Sequence, residues 1–435
     1  MKKYFTAEKS GFLLGALIAT MFLFSVPVSA SEKSLTLMET YQLALKKSET
    51  VAVSAEEINQ AQARFYRAFD YFLPTVNFQM SRFNQDAGDS NSSFGNSGRR
   101  STPENKFTFS QPIFSGFKEF AALKGSGADK KEQQKLLQRA RELLFVDVMD
   151  AYYNVLQTRK DIAVLDEQHK LLEDRLKELT ERIRVGRSRE MEQQTSLSDL
   201  KVLEADLVQA RSDAVHAVNL LEFYIGESLE DRDLADEGTI EELSELSSYV
   251  SKASLRSDVQ AAEQNTIVAD SKVVAAQADL LPTATADGNF YTRRVGFQNG
   301  NDWDATLTLT VPVFEVGQTL GDIKQAAASR EQSSLKFRQA RRTAELDIRD
   351  SFENLQSSHL EEKALQEANE ASKKDYELQT KDYRQNLVNN LDVLDSLRRY
   401  QGVNRRYNQA YYLSKRNFWK FKIALGELPA AEFKK

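Results

Sequence analysis

The stretch Ala305-Thr306-Leu307-Thr308-Leu309-Thr310-Val311-Pro312-Val313-Phe314 decides how the rest of the chain is read. Apolar side chains alternate with threonine until a proline interrupts. In a strand successive side chains point to opposite faces, so this pattern makes one face apolar and one polar. It occurs three more times. Val76, Phe78 and Met80 oppose Thr75, Asn77, Gln79 and Ser81; Phe107, Phe109 and Ile113 oppose Thr108 and Ser110; Ala284, Ala286, Gly288 and Phe290 oppose Thr283, Thr285, Asp287 and Asn289. Segments of roughly ten residues with this alternation are the mark of a membrane barrel, apolar to lipid and polar to a wet lumen. Any single one suits a soluble half-buried hairpin equally well, whereas four together favour the barrel. The connections Asn84–Pro103 and Thr292–Trp303, the second holding Gly296, Asn299, Gly300 and Asn301, read as exposed hairpin loops.

Two hairpins, at 74–114 and 282–314, supply only four strands. In lipid their outer edges would leave unpaired N–H and C=O groups at several kcal/mol each. The barrel is therefore expected to be shared between chains. Two chains would give eight strands filled by side chains, and three would give twelve with room for a lumen. Transport favours the trimer, but the sequence alone leaves the number open.

Outward from the strands, the chain is written twice. Gln111-Pro112-Ile113-Phe114 matches Val311-Pro312-Val313-Phe314, Asp150-Ala151-Tyr152-Tyr153-Asn154 matches Asp350-Ser351-Phe352-Glu353-Asn354, and Ile225-Gly226-Glu227 matches Leu425-Gly426-Glu427, all at an offset of 200. Leu73-Pro74-Thr75 matches Leu281-Pro282-Thr283 at an offset of 208, the difference falling in the hairpin loops. Of the seven prolines, Pro74, Pro112, Pro282 and Pro312 form matched pairs where a helical pattern meets a strand pattern. A residue without an N–H, unable to continue a helix, suits that joint.

Helical patterns fill the remainder. From about Lys118 to Ile183 no proline occurs, and Ile162, Leu165, His169, Leu172, Leu176, Leu179 and Ile183 step by three and four. After a break at Val185-Gly186, Leu200, Leu203 and Leu207 carry the stripe back towards Gly226. The second copy repeats this from Thr319 to Tyr383 and from Leu391 to Leu425, with Tyr400, Tyr407, Tyr411, Phe418 and Phe421 in an aromatic stripe. Shorter helices are expected at about Leu37–Phe72 and Leu246–Leu280. An acidic stretch at 228–250, including Glu241, Glu242 and Glu245, links the copies and is expected to form a lateral region part-way along the helices; 428–435 is a tail. The predicted class is α+β, mostly α: tandem long antiparallel helical hairpins plus two β-hairpins.

Bulk properties narrow the class. Lys2, Lys3 and Lys9 precede an apolar run from Gly11 to Phe24, and Val28-Ser29-Ala30 fits a small-x-small cleavage site, so residues 1–30 read as a secretory signal. Its removal takes the net charge from −6 to about −8. The chain has no cysteine, which excludes disulfides, thiolate metal sites and a lipidated amino-terminal cysteine. The mild acidity, with no basic stripe, argues against nucleic acid. His169, His216 and His359 lie far apart, and no nucleophile motif or glycine-rich phosphate loop is present, so neither catalysis nor a cofactor is expected.

Together the tandem repeat, the Leu-Pro-Thr and Gln-Pro-Ile-Phe joints and Asn389-Asn390-Leu391-Asp392-Val393-Leu394-Asp395 resemble the TolC family of outer-membrane efflux proteins over essentially the whole mature chain. The resemblance implies a homotrimer with a twelve-stranded barrel in outer-membrane lipid and a periplasmic extension of helices. It also implies docking to a periplasmic adaptor and an inner-membrane pump of RND or ABC type, for drug efflux or type I secretion. Asp392 and Asp395 match the family's acidic ring at the periplasmic entrance; their i, i+3 spacing puts both on one helix face, and a trimer would present six carboxylates able to attract or bind a plugging cation. Tyr383 and Glu192 fall where the family makes a closing latch, with Val388 in place of a frequent arginine. Val185-Gly186-Arg187 and Gln385-Asn386-Leu387 stand where the adaptor-facing turns usually read Val-Gly-Leu. A periplasmic adaptor built on a helical hairpin and an envelope coiled-coil scaffold are the rival readings; neither needs two spanning β-hairpins.

Overall fold

A computed structural model describes residues 34–84, 101–229, 232–236, 244–295, 300–314 and 316–428. The expected signal, most of the first hairpin loop, Gly296 and Asn299 of the second, Glu241 and Glu242 of the linker and nearly all of the tail lie outside these residues. The elements run α1 (Leu37–Lys47), α2 (Glu49–Asp70), β1 (Thr75–Asn84), β2 (Ser101–Ser115), α3 (Lys118–Arg184), α4 (Glu190–Ile225), α5 (Leu246–Val250), a 3-10 turn (Ser251–Leu255), α6 (Ser257–Ala278), β3 (Thr283–Arg293), β4 (Trp303–Thr310), α7 (Val316–Arg384) and α8 (Asn390–Ala424). At 1.5 Å per residue, the 67 residues of α3 make a rod of about 100 Å. Among the described residues no helix is long and apolar enough to cross a membrane.

The four strands form one antiparallel sheet in the order β1-β2-β3-β4. Its register sorts the side chains cleanly. Phe78, Phe107, Phe290 and Trp303 form one cross-strand row, and Val76, Phe109, Gly288 and Ala305 the next. Leu307 and Leu309 continue that face opposite Ala286 and Ala284. Met80, Trp303, Leu307 and Leu309 are all exposed, forming a band that water would penalise and hydrocarbon would not. The opposite face carries Thr75, Ser110, Asp287 and Thr306 in one row and Asn77, Thr108, Asn289 and Asp304 in another. Among the described residues the outer edges of β1 and β4 have no strand partner.

Two details depart from the sequence reading. Pro112, expected at a joint between helix and strand, lies inside β2, which continues to Ser115, and the register slips between Pro112 and Phe114. A proline cannot donate to the ladder, so the pairing skips a residue and bulges. Pro103 likewise sits inside β2 and not in a loop. Pro74 and Pro282 directly precede β1 and β3, and Pro312 follows β4. Below β2 the chain turns through Gly116 (φ 65°) and Phe117 (φ 69°), both left-handed; a Cβ on Gly116 would lie 2.6 Å from the Ala278 carbonyl oxygen. Only glycine combines that backbone conformation with that approach.

The second departure is that each helix leading to a Leu-Pro joint is broken. Ser48 ends α1 and caps α2 through its hydroxyl, which accepts from the Val51 amide at 3.3 Å. Arg256 stands at the matching break of the second copy, before α6, but its side chain makes no cap hydrogen bond. Both resulting helices are 22 residues long. The breaks meet the ends of α4 and α8, where Gly226 lies against Lys47 and Gly426 against Arg256. Around the first break Tyr41, Phe145, Val148, Tyr152, Leu221 and Ile225 pack into the largest apolar cluster. Part of the linker lies against it: Leu35 bridges Leu234, the Tyr152 hydroxyl donates to the carbonyl oxygens of Leu35 and Ala235, and Asp236 pairs with Lys415.

Candidate gate at the helical tip

Far from the sheet, the two long hairpins end in turns of the same construction. The amide of Arg187 donates to Arg182 O at 2.8 Å, and that of Leu387 to Asp382 O at 3.0 Å. Each closure needs one left-handed residue, which is Gly186 (φ 74°) in the first turn and Asn386 (φ 61°) in the second. Asparagine is the side chain that tolerates this region best, so the second turn survives without glycine. Val185, Gly186, Arg187, Asn386 and Leu387 are all exposed.

The helices leaving the turns are capped differently. Asn389 and Asp392 form a reciprocal capping box: the Asp392 amide donates to Asn389 Oδ1, and the Asn389 amide to Asp392 Oδ2, each at 3.0 Å. At the start of α4 the Ser188 hydroxyl donates to Glu192 Oε2 at 2.6 Å. No hydrogen bond joins Glu192 to Tyr383 among the described residues. Asp392 and Asp395 share an exposed face, while Val393, Leu394, Ser396 and Leu397 point into the subunit. Asp395 accepts from Arg399 at 2.6 Å, and Arg399 also reaches Asp375 at 3.0 Å. Of the six carboxylates a trimer would present, three are thus engaged in capping and three in exposed ion pairs.

What holds the hairpins together here is a pair of arginines that the sequence reading passed over. Arg175, only 6% exposed, places its guanidinium 3.7 Å from the centre of the Tyr383 ring. It also donates to Asn390 Oδ1 through Nε (2.9 Å) and Nη2 (2.6 Å), and to Glu178 through Nη1 (3.1 Å). Two helical turns nearer the hairpin tip, Arg182 lies 4.2 Å from the same ring and donates to Tyr383 O and Asn386 Oδ1. Leu179, Tyr383 and Val393 form the small apolar core between them, and the buried Tyr383 hydroxyl finds no partner there. A signal for Arg175 existed: it follows Leu172 by three residues and precedes Leu179 by four, so a cation occupies a core position of the stripe. Further up, Arg398–Asp199 (2.6 Å) and Asn408–Asp161 (2.6 Å) tie α8 to α4 and α3. Burial raises the Asp161 carboxyl above its ordinary range, and the Asn408 amide opposes that in part.

The sheet, the twin hairpins and their tip match one family. The model of the outer membrane efflux protein family aligns to residues 40–227 and again to 250–427. The chain belongs to that family. It is therefore an outer-membrane protein of the efflux-channel class. The chain is 26% identical over 148 residues to outer membrane protein OprJ of Pseudomonas aeruginosa, a stretch covering 33% of this chain and 31% of that protein. Its fold is that of the Vibrio cholerae outer membrane protein VceC (TM-score 0.79, 17% identity, 90% of this chain and 96% of that one). It also matches the Neisseria gonorrhoeae MtrE outer membrane channel, solved in its open state (TM-score 0.74, 19% identity, 90% and 88% coverage).

Proposed function

We propose that this family member is one third of a closed trimeric duct, the passive exit channel of a tripartite efflux or type I secretion assembly, gated where α7 and α8 meet. The observation that carries this reading is the sheet: an apolar face in register across four strands, with two unpaired edges that lipid cannot satisfy. With strand directions alternating, β4 of one copy presents an antiparallel edge to β1 of the next, so the ring closes through copies of the same chain. The helices support the same closure. α4 packs on α3, α3 on α8 and α8 on α7, which leaves α4 and α7 as the outer members. Each keeps exposed apolar side chains, Val202 and Phe223 on α4 and Leu346 and Leu360 on α7.

In the duct the α7/α8 hairpin forms the gate. Asp392 and Asp395 line the entrance, and Arg175 stacked on Tyr383 holds the hairpin against α3; Glu192, tied to Ser188, steadies the neighbouring turn. The exposed turns at Val185-Gly186-Arg187 and Asn386-Leu387 dock a periplasmic adaptor, which couples the duct to an inner-membrane pump of RND or ABC type. Energy enters from that pump.

Two measurements test this. The mature protein should need detergent for extraction, run as a trimer and conduct ions in planar bilayers; a water-soluble monomer would return the choice to an adaptor or a scaffold. Replacing Asp392 and Asp395 by Ala should raise conductance and weaken cation preference, because it removes one capping acid and one ion pair per chain as well as six charges per trimer. Unchanged gating in that variant would remove both residues from the entrance.

A further inference from the structure

We propose that Asp287, on the polar face of β3, sets the ion preference of the barrel independently of the helical tip; the inference rests on the duct reading above. Its row across the sheet is Thr75, Ser110, Asp287 and Thr306. Ser110 donates its hydroxyl to Asp287 Oδ1 at 2.6 Å, and Thr285 approaches Oδ2 at 3.4 Å. Both partners are neutral, so they orient the carboxylate without cancelling its charge. Towards the helices the same face holds Thr308 opposite Thr285 and Thr310 opposite Thr283, again neutral.

The charges nearer the strand ends are arranged differently. Glu104 pairs with Lys106 at 3.3 Å, and Arg294 lies 3.9 Å from both Glu104 and Asp304 while stacking 4.0 Å from the Tyr291 ring. Two acids and two bases compensate one another there. Lys106, the cation of that group nearest in register, lies four residues along β2 from Ser110, the partner of Asp287. That is about 13 Å at strand spacing, beyond the screening length of about 10 Å at 0.1 M salt. Three chains would place three uncompensated carboxylates at one level of a lumen otherwise lined by hydroxyls. Fixed charge in a lumen with low-dielectric walls concentrates counter-ions, so this level favours cations. Polar residues on the lumen face change selectivity without disturbing the lipid face.

The test is the reversal potential across a KCl gradient in planar bilayers at about 0.1 M mean salt, where screening is weakest. It compares the wild type, Asp287→Asn and Asp287→Arg, each also in an Asp392→Asn/Asp395→Asn background that removes the acids of the tip. Asp287→Asn keeps the shape and an acceptor for Ser110, and should lower the cation-to-anion permeability ratio about threefold in both backgrounds. Asp287→Arg should turn the preference towards anions. The differences should shrink near 1 M salt, where screening acts within about 3 Å. Variants that form conducting trimers with unchanged reversal potentials would overturn the proposal. A wild-type protein that forms no channel would overturn the duct reading beneath it.

Discussion

The two copies of the repeat build the same apolar waist, and only the second threads a buried ion network through it. In the first, Ser48 breaks the chain between α1 and α2, and an apolar and aromatic cluster around Tyr41, Phe145 and Tyr152 surrounds it. In the second, Arg256 stands at the matching break, 2% exposed, gripping Asp258 at 2.6 Å and Asp347 at 2.8 Å. Beside it Glu142, with no exposed surface, accepts from Ser257 and Arg139. The backbone solution is shared: a 22-residue helix after the break and a left-handed glycine opposite it. Duplication has kept both the backbone and the apolar filling, with Val148, Tyr152, Leu221 and Ile225 answered by Ile348, Phe352, Phe421 and Leu425, and the second copy adds buried ions to it. A buried ion network depends on every partner, whereas an apolar cluster loses stability by degrees.

That contrast can be broken most forcefully at Arg256. Arg256→Ala removes a buried guanidinium and two charged hydrogen bonds, but Asp258 and Asp347 keep 30% and 44% of their side-chain surface in contact with solvent, so the cost should be about 2–3 kcal/mol. Ser48→Ala at the matching position removes one cap and should cost about 1 kcal/mol. Thermal unfolding followed by helical circular dichroism in detergent compares them; equal losses would mean that the ion pairs of Arg256 add no more than the single Ser48 cap. The pH dependence sharpens the same point. Burial pushes the Asp258 carboxyl up, but the Arg256 guanidinium outweighs it and holds the group below its ordinary range. A depressed acid contributes stability above its unfolded value near 4, and loses it as pH falls through the folded value. The wild-type melting temperature should therefore drop more steeply below about pH 4 than that of Arg256→Ala.

The tips offer the smaller version of the comparison. Gly186→Ala meets nothing within 4 Å but must adopt left-handed backbone, a cost of about 1–2 kcal/mol. Asn386→Gly, at the equivalent position, should be close to neutral for the turn. It also removes one of the two acceptors of Arg182, leaving Tyr383 O, so its effect should show in gating before it shows in melting. Identical single-channel traces for Asn386→Gly and wild type would assign Arg182 to packing alone.

Strands and turns were legible, and the caps are written as locally, because each is decided within a few residues. Alternation in β4 follows from the pleat, the turn at Gly186 from its missing Cβ, and the box at Asn389 and Asp392 from three residues of spacing. The proposed gate could be read only in part. Its acids stood in a recognisable string, but Arg175 shares Tyr383 and Asn390 with a helix more than two hundred positions away. The resemblance implied that Tyr383 and Glu192 belong to a closing latch between neighbouring hairpins; within the chain Glu192 accepts from Ser188.

By itself the sequence determined the four strands, their apolar and polar faces, the duplication and the left-handed turns, since φ and ψ preferences and side-chain periodicity act locally. The tertiary structure decided the bulge at Pro112, the buried arginines at waist and tip, and which acids on the polar face are compensated. Those depend on how far one helix is rotated against another and on strand register, which no window of neighbouring residues contains.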